Sequence, residues 1–401
     1  MSENNGIKEP LNKNNKVTKL RFPSFKDDLK KTLIEDICTN EKYSFTGGPF
    51  GSNLKVGDYT QSGVRVIQLN NINDIYFNDD NKVFVSVEKA DSLKSCNAYS
   101  GDLIFAKMMP AGRLCILPKT YDRYLLGSDA IRLKPNIDKY YCFFLLECLN
   151  RTIIRNSITS KTSGSTRQRI GLLDLKKTSF YCPNYIEQKQ IGLFFELIES
   201  KISNISKKIN ILKKYKEGIE KYAYKFVENQ GVSIKFSDFF DNLIEKNNHN
   251  FLQYTIGKNG IKKIDEIKYD ISNHKVFKKF NVIIGIGIDE IGINKDLEYG
   301  SVSPVYDVYN IRNFKYFDSI YITLKEQLWK KRNFITRKST RREFEVDKYE
   351  LEKTTLKVVD NKDFINVYQS ITNIKKVIEI LNFSFNNLKI IKSYILRHMF
   401  I

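Results

Sequence analysis

The sequence predicts an α+β protein: two tandem mixed, strand-rich domains, each followed by a long helix, with the two helices pairing as an antiparallel coiled coil. Three observations predict this. Residues 187–222 carry a sustained heptad pattern, and residues 363–398 carry it again. The stretches before each are short β-type runs separated by Gly, Asn, Asp and Pro turns.

Taken in order, Met1–Lys16 is polar and rich in Asn and Lys, and residues 1–17 read as a flexible tail. It has no basic segment followed by an apolar stretch, as a secretory signal would. The first domain spans 18–183, with β-type runs such as Val64–Leu69 and Leu103–Ala106 and a short helix at Tyr140–Arg155. A long helix at 184–228 follows. Ile191, Phe195, Ile198, Ile202, Ile205, Ile209, Leu212 and Ile219 alternate spacings of four and three, and Lys216 fills the one polar slot. At ~1.5 Å per residue such a helix is about 55 Å long.

The second domain, 229–359, holds the runs Val282–Ile284 and Val305–Tyr309 and a short helix at Ser319–Lys331. In the closing helix, 360–401, Val367, Ile371, Ile374, Ile378, Leu381, Phe385, Leu388 and Ile395 repeat the first seam, with Lys392 in the polar slot. Each position is its counterpart plus 176. The same offset relates Asp174–Thr178 to Glu350–Thr354, a strand-like approach to each helix. Neither seam buries itself alone. Ile198, Ile202, Ile205, Ile209 and Leu212 are therefore expected to face Ile374, Ile378, Leu381, Phe385 and Leu388, holding the two domains at opposite ends.

Composition narrows the function. At 401 residues with 41% hydrophobic content, 27 Phe and 23 Tyr, the chain has material for two domains with real cores and is not disordered. No run approaches the ~18 consecutive apolar residues of a membrane span, so a soluble cytoplasmic protein is expected. Cys38, Cys96, Cys115, Cys142, Cys148 and Cys182 form no C-x-x-C pair, and His249, His274 and His398 are scattered. A structural zinc site needs its ligands in tight pairs, so no metal is expected, and the cysteines read as small buried hydrophobes. The net charge of +20 attracts polyanions, nucleic acid above all, although a Lys-, Asn- and Ile-rich composition accounts for part of it.

Several segments, in order along the chain, resemble the specificity subunits of type I restriction–modification enzymes. They are Leu20–Lys26, Gly47-Gly-Pro-Phe-Gly-Ser52 with Tyr59, Gly63–Ile67 and Asn70-Asn-Ile72, Gly101-Asp-Leu-Ile-Phe-Ala-Lys107, Ser163–Ile170 with Glu187-Gln-Lys-Gln-Ile191, and Gly300–Tyr306. The second half departs from the pattern. It lacks a Gly-Ser before Arg341-Arg342, has Asp363-Phe-Ile where Glu187-Gln-Lys stands, and lacks the Gly-Gly-Pro-Phe loop. The resemblance implies two target-recognition domains, each reading one half of a split double-stranded DNA target. It implies helices that act as ruler and dock for two methyltransferase subunits, joined by two motor-nuclease restriction subunits. S-adenosylmethionine and ATP would belong to those partners, and this chain would hold no cofactor and no catalytic site.

DNA reading needs cations for phosphates and forked or amide side chains for base edges. Lys161, Thr162, Ser163, Ser165, Thr166, Arg167, Gln168 and Arg169 supply both on a glycine-softened loop. At the matching place, Lys330–Arg342 packs seven cations among hydroxyls, with Lys331, Arg332, Thr336, Arg337, Lys338, Thr340, Arg341 and Arg342 as candidates. A second tier is Lys107 and Arg113, Arg65, Asn70 and Asn71, and Lys258 and Asn259. The Thr46–Ser52 loop reads as a phosphate cradle or a plain turn.

Two other readings compete. Val282-Ile-Ile-Gly-Ile-Gly-Ile-Asp289 faintly resembles the cofactor turn of a DNA adenine methyltransferase with its own recognition domain. The Asn/Asp-Pro-Pro-aromatic motif of such enzymes is missing, since Cys182-Pro-Asn-Tyr185 is not one. The seam alone would suit a basic coiled-coil scaffold. Salt-dependent DNA binding separates these readings.

Overall fold

The computed structural model describes residues 20–108, 111–160, 169–247, 251–257, 260–264, 273–339 and 344–400. The expected tail, 1–17, lies outside them. The chain divides into two compact units. One joins the residues up to Ile205 to those from Ser384 onward, and the other runs from Ser206 to Phe383.

In the first unit one sheet orders Phe45–Gly47, Ala130–Leu133, Leu103–Ala106, Leu114–Ile116 and Ile75–Tyr76. Another orders Tyr59–Thr60, Phe84–Val85, Val64–Ile67, Tyr124–Leu126 and Asn97–Ala98. Leu103–Ala106 is buried along its whole length, because strand alternation gives it two apolar faces. Leu103 and Phe105 join a core with Phe144 and Leu145, while Ile104 and Ala106 join a second with Val66 and Tyr124. The expected single helix at 140–155 is two, Cys142–Leu149 and Thr152–Thr159. The break falls at Asn150, whose side-chain amide pairs with both backbone groups of Leu114 at 3.0 and 2.8 Å.

The second unit has sheets ordered Phe240–Leu243, Asp307–Ile311, Val282–Ile284, Ile291–Ile293 and Gly260–Lys263, Gln253–Gly257, Tyr299–Val302, Lys275–Lys278. The β-run expected at Val305–Tyr309 therefore sits two residues later. Helix Phe317–Lys330 packs Ile320, Leu324 and Leu328 into the core with Val282, Ile284 and Tyr309.

Each unit closes in the same way. Lys30–Leu33 pairs antiparallel with Ser179–Cys182, and Val232–Lys235 pairs antiparallel with Thr355–Val358. The approach to each closing strand, expected to be strand-like, is instead a helical turn, Leu172–Lys176 and Lys348–Lys353. Two local features override the β-type reading. Asp347 caps the second turn through the backbone N–H groups of Tyr349 and Glu350, and each turn buries a single leucine, Leu175 or Leu351.

The long helices are Tyr185–Gln230 and Asn361–Met399. Asn184 caps the first by accepting from the Glu187 N–H at 3.0 Å, and Asp360 does so for the second from the Lys362 N–H at 3.0 Å. In the first unit Ile191, Phe195, Ile198 and Ile202 share a core with Phe385, Leu388 and Ile395. In the second unit Ala223 and Val227 share one with Phe364 and Val367. The start of one helix thus meets the end of the other in each unit, so the pair is antiparallel. Of the remaining seam residues Ile209 is buried, whereas Ile205, Leu212, Ile374, Ile378 and Leu381 are half-buried.

Candidate nucleic-acid interface

In the first unit the sequence candidates meet around one turn, Gly127-Ser128-Asp129. The Lys107 N–H donates to the Asp129 carbonyl at 2.7 Å, and the Ile170 N–H donates to the Lys107 carbonyl at 2.9 Å. Met108 and Arg169 form an isolated β-bridge, and the Arg169 guanidinium pairs with the Asp129 carboxylate at 3.0 Å. The Gly47–Ser52 loop reaches the same turn. Its Gly48 N–H donates to the Ala130 carbonyl at 2.9 Å. A Cβ on Gly48 would sit 1.8 Å from the Gly127 carbonyl oxygen, so only glycine allows this approach. The Gly127 N–H in turn bonds the carbonyl of Ile67, at the end of the strand that leads to exposed Asn70. Arg113, half-buried, follows the hairpin turn, where its carbonyl accepts from the Ala106 N–H. Lys161, Thr162, Ser163, Ser165, Thr166, Arg167 and Gln168 lie outside the described residues.

The second unit has the same local construction. Gly287 and Glu345 form an isolated β-bridge, and the Val346 N–H bonds the Ile286 carbonyl at 2.8 Å. Glu345 stands 176 residues after Arg169, so in both units the buried central strand ends in a turn pinned by the residue that closes a cationic segment. The charge is reversed at this point. Glu345 pairs with Arg337 at 3.2 Å, where Arg169 pairs with Asp129.

Among the other candidates of this unit, Arg332 is held rather than loose. Its guanidinium lies 4.8 Å from the Trp329 ring and 5.8 Å from the Phe344 ring, and donates to the Trp329 carbonyl at 3.0 Å. The Thr336 hydroxyl bonds the Arg332 carbonyl at 2.6 Å. Arg337 and Lys338 are exposed. Lys331 turns to the Thr355 carbonyl and hydroxyl, and burial lowers its pKa, with the charge of Lys357 acting the same way. Thr340, Arg341, Arg342, Lys258 and Asn259 lie outside the described residues.

One candidate is corrected outright. Arg65 has no exposure. It lies on a strand buried along its length, where its guanidinium bonds the Asp79 carboxylate at 3.0 Å and the Val66 carbonyl, against the rings of Phe77 and Phe84. Burial raises the Asp79 pKa, but hydrogen bonds from Arg65, Tyr121 and Lys82 outweigh it and leave the carboxylate below its usual value. Arg65 is a core residue carrying its own counter-charge. Asn71 is likewise structural, with its side chain tying together Gln68, Asn78 and Asp80.

The Gly285–Gly287 turn is also settled. It joins strand Val282–Ile284 to strand Ile291–Ile293 as a hairpin, not a strand to a helix as a cofactor turn would. A Cβ on Gly285 would lie 2.4 Å from Glu290 and 2.9 Å from Tyr306, so this glycine serves close packing.

Two exposed aromatics escaped the sequence reading. Phe50 is 83% exposed beside the Gly48–Gly127 contact, and Phe334 is 79% exposed between Arg332 and Arg337. The signal was present in each case as an aromatic inside a glycine-rich or cationic loop, but exposure is a tertiary property. Among the described residues no group of three or more His, Cys, Asp or Glu is placed to hold a metal ion. No described helix is long and apolar enough to cross a membrane.

Residues 26–214 match the family model of the type I restriction modification DNA specificity domain. The fold is similar to the type I restriction–modification system S subunit from M. genitalium, with a TM-score of 0.64 at 13% identity over 96% of this chain and 99% of that one. The HsdS subunit from Thermoanaerobacter tengcongensis matches with a TM-score of 0.42 at 13% identity, over 92% of this chain and 95% of that one. No curated protein sequence matches the chain.

Proposed function

Because residues 26–214 carry the DNA specificity domain of the type I restriction–modification family, we propose that the chain is the specificity subunit of such a complex, each unit reading one half of a split DNA target. One observation carries this reading. Both units pin a cation-rich segment to the turn after the buried central strand, through the Met108–Arg169 and Gly287–Glu345 bridges. A reader of two half-sites needs the same presenting device twice with different side chains on it, and that is the arrangement here.

The chemistry of methylation and cleavage is assigned to partners. Methyltransferase subunits, two in number, would bring S-adenosylmethionine, and two restriction subunits would bring ATP-driven motor and nuclease activity. The docking surface is the outer face of the long helices. In the first unit Leu193, Leu197, Ile390, Ile391 and Tyr394 are exposed there, an apolar set that a helical partner buries. A scaffold without DNA binding has no use for the paired cationic segments.

The test is co-expression with a methyltransferase subunit of the same family, followed by genome-wide mapping of methylated adenine. Methylation at two short blocks around a fixed gap is expected. A continuous motif, or methylation by this chain alone, would overturn the assignment.

A further inference from the structure

Phe50 and Phe334 are the two most exposed aromatic side chains among the described residues, at 83% and 79%. An exposed phenyl ring gains nothing from water, and single surface apolars need no explanation. These two differ from a scattered residue in their setting.

Phe50 lies on a loop whose root, Gly48, is locked against Gly127, two residues from the Asp129 that holds Arg169. Its carbonyl accepts from the Asn53 N–H at 2.8 Å, so the ring is presented at the tip of a tight turn. No acidic residue occurs between Glu41 and Asp58. Phe334 stands two residues after the Arg332 held by Trp329 and Phe344, and three before exposed Arg337. Its neighbour Ile335 is buried, which fixes the backbone and turns Phe334 outward. No acidic residue occurs between Glu326 and Glu343.

Each bare ring stands beside an arginine that is ion-paired yet still 46% or 66% exposed, Arg169 with Asp129 and Arg337 with Glu345, a setting that matches the surface of duplex DNA. The cations meet phosphates, and the ring meets the bases between them. A protein partner suited to an apolar anchor would instead be met by an apolar surround, as on the outer helix faces.

We infer that Phe50 and Phe334 are base-contacting wedges, one in each unit, that press into the DNA of the two half-sites and partly unstack a base step there. Phenylalanine is suited to this because its planar apolar face replaces the stacking that the opened step loses. The inference rests on the DNA-reading assignment above and adds two residues, with their mode of contact, to it.

The test uses the full chain with its methyltransferase subunits and a short duplex carrying the mapped motif, with 2-aminopurine replacing one adenine in each half-site in turn. Wild type is expected to raise the 2-aminopurine fluorescence in both half-sites. Phe50→Ala and Phe334→Ala are each expected to abolish the rise in one half-site and weaken binding about tenfold. The slope of affinity against salt should be unchanged, because no phosphate contact is lost. Phe50→Leu should retain most of the affinity, since leucine also wedges. Both positions are exposed, and unfolding curves matching wild type keep the result free of folding effects.

Alanine variants that bind like wild type overturn the inference, as does a wild type without fluorescence change. DNA affinity kept while methyltransferase capture is lost would mean that the rings meet protein, and also overturns it. If wild type itself shows no salt-dependent binding, the DNA-reading assignment has failed, and that failure is visible before any variant is made.

Discussion

At the root of the first long helix, Glu187 accepts two hydrogen bonds from Arg21 at 2.7 Å each, and Gln188 bonds the Tyr141 N–H and the Lys139 and Pro183 carbonyls. The position 176 residues after Gln188 is Phe364, buried against Phe226 at 5.9 Å with Ala223, Val227 and Val359. The odd lysines of the two seams diverge in the same sense. Lys392 lies between the carboxylates of Glu147 at 2.8 Å and Glu199 at 2.5 Å, with all three side chains at most 13% exposed. Lys216 makes one partly exposed pair with Glu220, a turn away on its own helix. Where Glu147 and Glu199 stand in the first unit, the offset places Thr323 and Lys375 in the second. A shared heptad register therefore sets where two helices can meet. It leaves open whether charge or aromatic packing holds them there.

Breaking the charged root gives the largest expected effect. Lys392→Met leaves two carboxylates buried without a counter-charge and should destabilise the first unit by about 3–5 kcal/mol, read as a fall in its unfolding midpoint. Phe364→Ala should cost the second unit about 3 kcal/mol through the cavity it opens. If Lys392→Met weakened the second unit instead, the division of chemistry between the two roots would be wrong.

The pH dependence sharpens the contrast further. Burial pushes the Glu147 pKa up to about 7, against the pull of Lys392, and the neighbouring Glu199 adds to the rise. A carboxyl whose folded pKa lies above its unfolded value binds more protons folded than unfolded. Its stabilisation is full below about pH 4.5 and is lost as the pH rises through about 7. Denaturant unfolding of the first unit should show this decline, and Glu147→Gln should shrink it; burial also raises the carboxyls of Asp102 in the first unit and Asp318 in the second, so a weaker decline of the same sign remains in each. The smallest effect is expected from Lys216→Met, under about 1 kcal/mol, because its pair is only partly buried and lies within one helix.

The repeat made much of the fold legible. A period of 3.5 residues sustained over both long segments, and the constant offset between them, are visible without any knowledge of contacts. Each cationic segment was legible as a run of Lys and Arg shortly before the closing turn and strand, although the offset carries Lys161–Arg169 onto 337–345 and the second run is Lys330–Arg342. Arg65 was misplaced for a different reason. A strand of Val-Arg-Val-Ile reads as half-exposed, and only the arrival of Asp79, Phe77 and Phe84 turns the arginine into a core residue. The convergence of Lys107, Arg169 and the Gly48 loop on one turn was equally hidden, because those residues lie far apart along the chain and meet through backbone hydrogen bonds.

By itself the sequence determined the elements and their order: two strand-rich units, two seams, an odd lysine in each, and a net charge suited to DNA. These are properties of spacing and composition, and local backbone geometry converts them directly into helices, strands and faces. The tertiary structure alone decided which charges are neutralised inside and which aromatics stay bare. It also decided that Lys392 is gripped by carboxylates while Lys216 is not. Those outcomes depend on what arrives from distant parts of the chain, and burial, which sets the strength of every such contact, is not written in any local pattern.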